Sequence, residues 1–167
     1  MTELKHLPNL LSAARIAMAP YIFFLLWTGS YAAALLWFAA AAVTDLLDGF
    51  LARRLHAASR IGGYLDPVAD KILLCGSFLV LALTGAIPWW LAAIVLGRDV
   101  LLLGGAAMAL HRDLSPSIWG KWSTFAQILY VLAVVARAPI TALGWVVAGL
   151  AVISGGHYAL RLFSRHE

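Results

Sequence analysis

Apolar residues gather in six runs along the chain, at 8–28, 31–52, 65–84, 88–110, 118–136 and 140–162. Each is about as long as the twenty residues a helix needs to cross the hydrocarbon core of a bilayer. The breaks between runs have local causes. Thr28-Gly29-Ser30 is a tight turn, 53–63 is polar and ends in Gly62-Gly63, and Thr84-Gly85-Ala86-Ile87-Pro88 stops one helix and opens the next at a proline. Residues 111–116 and 136–139 close the last two runs in the same way. The pattern predicts an all-α membrane protein, a bundle of six transmembrane helices forming one domain over 1–167. Residues 2–11 begin polar and turn apolar, which fits either a short N-terminal helix lying along the membrane interface or the buried start of the first span.

Composition supports the same class. Of 167 residues, 63% are apolar and 12% charged, whereas a soluble domain is about half apolar and a quarter charged. Disorder, a collagen repeat and a disulfide scaffold are excluded by the high apolar fraction, the aperiodic glycines and the single cysteine. The net charge of +4 comes without a basic stripe interleaved with aromatics, so nucleic acid is not the expected partner. The charge reads instead as topology. With the N-terminus in the cytosol, inner segments hold Lys5, Arg53, Arg54, Arg60, Arg112, Arg161 and Arg165, and the outer turns only Arg137. This places the 53–65 and 111–117 loops in the cytosol, and the expected setting is the bacterial inner membrane. The first run reads as a span rather than a cleavable signal peptide, being too long and lacking a small-residue cleavage site. Small residues at 32–34, 39–42 and 104–107 would let helices approach closely. The seven tryptophans lie mainly near the predicted span ends, and interfacial belts account for most of them.

Four of the eight acidic residues, Asp45, Asp48, Asp66 and Asp70, lie within 26 positions, at the cytosolic end of the second run and start of the third. Carboxylates near a membrane are costly and need compensation. On a helix Asp45 and Asp48 are three apart and Asp66 and Asp70 four apart, so each pair shares a face. Two facing helices would pool all four at the membrane surface. Such a cluster suits hard divalent cations, Mg²⁺ or Mn²⁺, and two ions can share bridging carboxylates. The bland alternative is an ion-pair network with Arg53, Arg54, Arg60 and Lys71. That network does not require Gly49 and Ala52 on the face of the first two aspartates, where small side chains clear a floor for a ligand to press against the helix. A divalent-cation transporter would also use intramembrane acids, but would scatter them through the midplane rather than gather them at one depth.

In full the segment reads Asp45-x-x-Asp48-Gly49-x-x-Ala52-Arg53, eight residues, Gly62-x-x-x-Asp66-x-x-x-Asp70. It resembles the signature of the CDP-alcohol phosphatidyltransferase family at every fixed position, and Pro8-Asn9-Leu10-Leu11-Ser12 and Leu65-Asp66-Pro67-Val68-Ala69-Asp70-Lys71 extend the likeness. The resemblance implies transfer of the phosphatidyl group of CDP-diacylglycerol to an alcohol with release of CMP. It further implies that Asp45, Asp48, Asp66 and Asp70 hold two ions, that Asp70 is the general base, and that Asp48, Gly49, Ala52, Arg53, Gly62 and Asp66 bind the CDP-lipid. A homodimer is likewise expected from the resemblance.

The acceptor should be read by the remaining polar groups. Arg98 and Asp99, in the middle of the fourth run, either serve function or neutralise each other. Arg112 and Lys121, with Ser123 and Thr124, could complete a basic pocket for an anionic headgroup, although snorkelling explains Arg112 equally well. Run 42–71 and Gly120-Lys121 with Thr124 and Gln127 are similar to phosphatidylglycerophosphate synthases, which use glycerol 3-phosphate. Gly97-Arg98-Asp99-Val100 is closer to cardiolipin synthases, which use phosphatidylglycerol. The expectation is a glycerol-phosphate-type acceptor, with phosphatidylglycerol as the alternative. Histidines 6, 56, 111, 157 and 166 form no zinc spacing, no nucleophilic triad is visible, and Cys75 reads as small core filling.

Overall fold

A computed structural model of the chain describes the backbone of residues 7–55, 62–108 and 118–163, and the side chains at 13–44, 69–102 and 118–160. The described elements are six α-helices: α1 (Leu7–Trp27), α2 (Tyr31–Leu55), α3 (Gly62–Leu83), α4 (Trp89–Met108), α5 (Ile118–Val135) and α6 (Thr141–Phe163). Each predicted run coincides with one helix, and no boundary moves by more than three residues. The larger shifts have reasons. The second helix runs on to Leu55 because Arg53 and Arg54 are good helix formers whose charge suits a C-terminus. Gly62 and Gly63 open α3 instead of closing the loop before it, in a first turn whose N–H groups have no intrahelical acceptor in any case. Residues 7–11 are the continuous start of α1, and residues 2–6 of the expected interfacial segment lie outside the described residues.

Three helices end in the same way. Gly29 donates to the Leu26 carbonyl (3.2 Å) and Ser30 to Leu25 (2.9 Å); Gly85 donates to Ala82 (3.1 Å) and Ala86 to Leu81 (2.9 Å). At the end of α5, Arg137 donates to Val134 (3.0 Å) and Ala138 to Ala133 (2.9 Å). These paired bonds cap the last carbonyls and require a left-handed residue after the helix. Glycine fills that position twice, at φ 71° and 74°, but Arg137 fills it at φ 55°. The Thr28 and Thr84 hydroxyls donate back to the Phe24 and Leu81 carbonyls (3.0 and 3.2 Å), satisfying further acceptors at the two glycine-ended helices.

The chain divides into two compact units, residues 1–80 and 81–167. In the first, α1 packs on α2 along Ala34 and Ala41, which lie seven residues apart and are both buried. Of the predicted small-residue stretches at 32–34 and 39–42, these two positions are buried, and their neighbours Ala32 and Ala42 are exposed. Helix α1 presents Arg15, Ala19, Ile22 and Leu26 to the interior, at offsets of four, seven and eleven. Gly76 of α3 receives the Phe23 ring of α1 so closely that any Cβ there would overlap it. In the second unit, α6 packs on both α4 and α5. Gly144 of α6 seats Tyr130 of α5 and Leu91 of α4.

Both units bury polar side chains and expose large apolar ones to a degree unusual in a water-soluble protein. Arg15, Ser77, Arg98, Asp99, Ser123, Gln127 and Ser154 are buried, while Phe24, Leu36, Val100, Leu101, Trp145 and Leu160 are exposed. Water would penalise so much exposed apolar surface, whereas lipid is as apolar as the side chains that meet it. All seven tryptophans are exposed, and Trp27, Trp89, Trp90 and Trp119 lie in terminal turns, where an amphipathic ring sits at the level of the headgroups. Ile118–Val135 and Thr141–Leu160 are long and apolar enough to cross a membrane by length and composition.

The three caps yield a paired expectation. Nothing lies within 4 Å of a Cβ built at Gly29 or Gly85, so alanine there meets only backbone strain. Gly29→Ala and Gly85→Ala should each destabilise by about 1–2 kcal/mol, and Arg137→Gly should act in the opposite sense by about 1 kcal/mol. Thermal unfolding in detergent micelles checks the signs, and equal shifts in one direction would refute the cap assignment.

Candidate active site

The motif lies on two helices, as its spacing requires. Asp45, Asp48, Gly49, Ala52 and Arg53 belong to the helical backbone of α2, and Gly62, Asp66 and Asp70 to α3. The i,i+3 and i,i+4 register positions assumed for the two aspartate pairs therefore hold. The side chains of Asp45, Asp48, Ala52, Arg53 and Asp66, like the surroundings of Gly49 and Gly62, lie outside the described residues, as does Arg112. Among the described residues no group of three metal-ligating side chains occurs. The motif aspartate that is described there is Asp70.

Asp70 Oδ1 accepts a hydrogen bond from Arg15 Nη1 at 2.6 Å. The pair is asymmetric: the Arg15 side chain is 1% exposed and that of Asp70 52%. The cation is thus sunk among helices while the carboxylate keeps an open side. Arg15 was not among the cations considered as partners for the aspartates, all of which follow the motif or lie within it. The sequence did carry a signal for it, since an arginine inside an apolar run is a functional candidate by default. A half-exposed carboxylate can accept a proton or donate electron pairs to a cation, and carboxylate donors suit a hard divalent ion.

The second unit holds its own polar layer. Arg98 Nη1 donates to Asp99 Oδ1 at 2.5 Å, and Arg98 Nη2 to the Ser154 hydroxyl at 2.8 Å and more weakly to the Gly120 carbonyl at 3.4 Å. Arg98 and Asp99 are both buried, so the mutual neutralisation considered from sequence is present, and Ser154 and Gly120 tie it to α6 and α5. One turn along α5 from Gly120, Ser123 accepts from Gln127 Nε2 at 3.3 Å. Three buried atoms of this region have no hydrogen-bond partner: Arg98 Nε, Gln127 Oε1 and His157 Nδ1. Buried polar atoms left unpaired are costly, so this layer retains capacity to bind a polar ligand. Lys121 is exposed at the same end of α5. Ser154 and His157 went unassigned in the sequence because nothing local distinguishes them from packing residues.

Comparison with known proteins matches the motif's context. Residues 5–155 fit the CDP-alcohol phosphatidyltransferase family, a span that includes both helices of the motif and Arg15. A probable phosphatidylglycerophosphate synthase of Mycobacterium tuberculosis is 32% identical over 172 residues, covering 95% of this chain and 82% of the relative. A CDP-diacylglycerol–glycerol-3-phosphate 3-phosphatidyltransferase of Pseudomonas fluorescens is 33% identical over 165 residues, covering 90% and 83%. A probable cardiolipin synthase (CMP-forming) of Drosophila melanogaster is 34% identical over 151 residues; there the chain spans 90% of itself but only 45% of the relative. With the family matched over nine-tenths of its length and the motif complete on two consecutive helices, the chain belongs to the CDP-alcohol phosphatidyltransferase family.

Proposed function

We propose that this protein is a phospholipid-synthesising phosphatidyltransferase that moves the phosphatidyl group of CDP-diacylglycerol to glycerol 3-phosphate and releases CMP. The observation that carries the reading is the complete aspartate set on α2 and α3, with the Asp70 carboxylate anchored yet half open. The relatives' names support the donor and the reaction class. In this reading the six helices all span, as one domain, with the N-terminus and the motif at the cytosolic face of a bacterial inner membrane. The diacylglycerol tails stay in lipid while the nucleotide reaches the motif. A homodimer is part of the same reading.

Asp45, Asp48 and Asp66, with Asp70 as a further ligand, would hold two Mg²⁺ or Mn²⁺ ions, whose charge would stabilise the pyrophosphate and the leaving CMP. Gly49 and Ala52 border the cytidine, Arg53 lies near the phosphates, and Gly62 permits close packing at the start of α3. Asp70 takes the proton of the acceptor hydroxyl as its oxygen bonds to the phosphatidyl phosphorus and the phosphorus–oxygen bond to CMP breaks. The base works by proximity and orientation, because a carboxylate near cations is weakly basic. Arg98, Lys121 and Arg112 bind the acceptor, and the unpaired Gln127 Oε1 and Arg98 Nε offer it hydrogen bonds. Phosphatidylglycerol is the second acceptor reading, favoured by Arg98-Asp99-Val100 and by the cardiolipin synthase name of the Drosophila relative.

Supplying purified protein with CDP-diacylglycerol and, in turn, glycerol 3-phosphate, phosphatidylglycerol, inositol phosphate or serine tests activity and acceptor together. CMP release is expected with glycerol 3-phosphate; release with phosphatidylglycerol alone would make the second reading correct, and no release with any would refute both. Asp70→Asn keeps an oxygen for Arg15 to bond and should cut turnover by about 10²–10⁴-fold while CDP-lipid binding persists. Wild-type turnover in that variant would remove Asp70 as the base. Asp45→Ala or Asp66→Ala should weaken divalent-ion and CDP binding together, measured by titrating the metal in the presence and absence of CDP. Unchanged ion affinity in both variants would overturn the ligand assignment.

A further inference from the structure

From the Arg15–Asp70 geometry we infer that Arg15 is a positioning residue that fixes the orientation of the Asp70 carboxylate toward the acceptor. The inference rests on the proposed role of Asp70 as base. Arg15 is carried by α1, fifty-five positions before Asp70, and is the largest of the fully buried side chains. A guanidinium so enclosed cannot trade its hydrogen bond for water, so the 2.6 Å bond from Nη1 to Oδ1 restricts the carboxylate far more than an exposed cation would.

The packing around the pair makes the restriction rigid. Eight residues further along α1, the Phe23 ring lies on the bare backbone of Gly76, six residues beyond Asp70 on α3. The two contacts, in the same order along both helices, set the spacing and register of α1 against α3. Between them Ala19, Ile22, Leu73 and Leu74 are buried. Arg15 therefore holds Asp70 from the buried interior, while about half of the Asp70 side chain is exposed. A residue that only neutralised charge would need neither complete burial nor attachment to a separate helix. A group that sets orientation needs both, because a catalytic carboxylate must be held to within fractions of an ångström of its working geometry.

The test compares wild type, Arg15→Lys, Arg15→Met and Asp70→Asn in steady-state CMP release, with thermal unfolding measured alongside. Arg15→Met should lower kcat by about 100-fold, the scale of a 1 Å misplacement, with KM for CDP-diacylglycerol held within about twofold. Arg15→Lys keeps charge and a donor on a stem of different geometry; it should recover at least about tenfold of that loss at an unchanged KM. If Arg15→Met does not fold, a kcat loss in folded Arg15→Lys with KM unchanged supports the assignment on its own. Losses that appear as a raised KM at constant kcat, or folded variants with wild-type kcat while Asp70→Asn is inactive, overturn the role of Arg15 and leave the base in place. Full turnover by Asp70→Asn overturns both.

Discussion

Charge buried among apolar helices must be neutralised where it stands, and this requirement organises both units of the protein. Isolated charges in such surroundings are expensive, and a pair is tolerated only when the geometry is close and the remaining donors find partners. Arg15 meets Asp70 across two helices, and Arg98 meets Asp99 beside it on one, with the Ser154 hydroxyl and the Gly120 carbonyl accepting further hydrogen bonds from Arg98. The two solutions do different work. The pair across helices couples the packing of α1 against α3 to the placement of a motif carboxylate, so the same contact that lets Arg15 be buried also determines where Asp70 sits. The pair on one helix leaves no net charge behind and uses its spare donors to join α4, α5 and α6.

The remaining side chains follow from the solvent. With lipid outside, apolar residues gain little from burial as such, and small residues and polar ties take a larger share of the helix contacts. Ala34 and Ala41 on α2, Gly76 under Phe23 and Gly144 under Tyr130 are such contacts, while Leu36, Val100 and Leu160 face outward. Large apolar side chains such as Ile22, Phe78, Leu81 and Leu91 fill the interior as well, so each polar group among them, Arg15, Arg98 or Gln127, sits in apolar surroundings where an unmade hydrogen bond is costly.

The helix limits were readable because their causes are local. Thr28-Gly29 and Thr84-Gly85 announce a left-handed cap in the sequence itself, and Pro88 and Pro139 precede the helices that follow. Arg137 shows where that reading stops, since nothing about an arginine announces a positive φ, although the same paired cap bonds close α5 there. The motif aspartates were readable because their spacing carries meaning on any helix. Arg15 was not, because its significance lies in a partner fifty-five residues away, and no periodicity connects α1 to α3. Arg98 and Asp99 illustrate a further limit. Adjacent residues on a helix do not face each other, yet the long arginine side chain reaches round to its neighbour because neither charge could be buried alone.

That neutralisation bears on how an acceptor would be read in the second unit. A guanidinium already matched to a carboxylate contributes little net charge, so Arg98 suits hydroxyls and ester oxygens through its hydrogen-bonding positions, and Gln127 Oε1 can accept from a hydroxyl but not bind a phosphate. In the proposed reaction the charge of a phosphorylated acceptor would fall to cations outside the pair, of which Lys121 is exposed on α5. A phosphomonoester such as glycerol 3-phosphate carries more negative charge than the phosphodiester of phosphatidylglycerol, and so would depend more on the cations proposed for it, Lys121 and Arg112. In that proposal the choice of acceptor falls to charge supplied outside the Arg98–Asp99 pair rather than to Arg98 itself, whose charge is already matched.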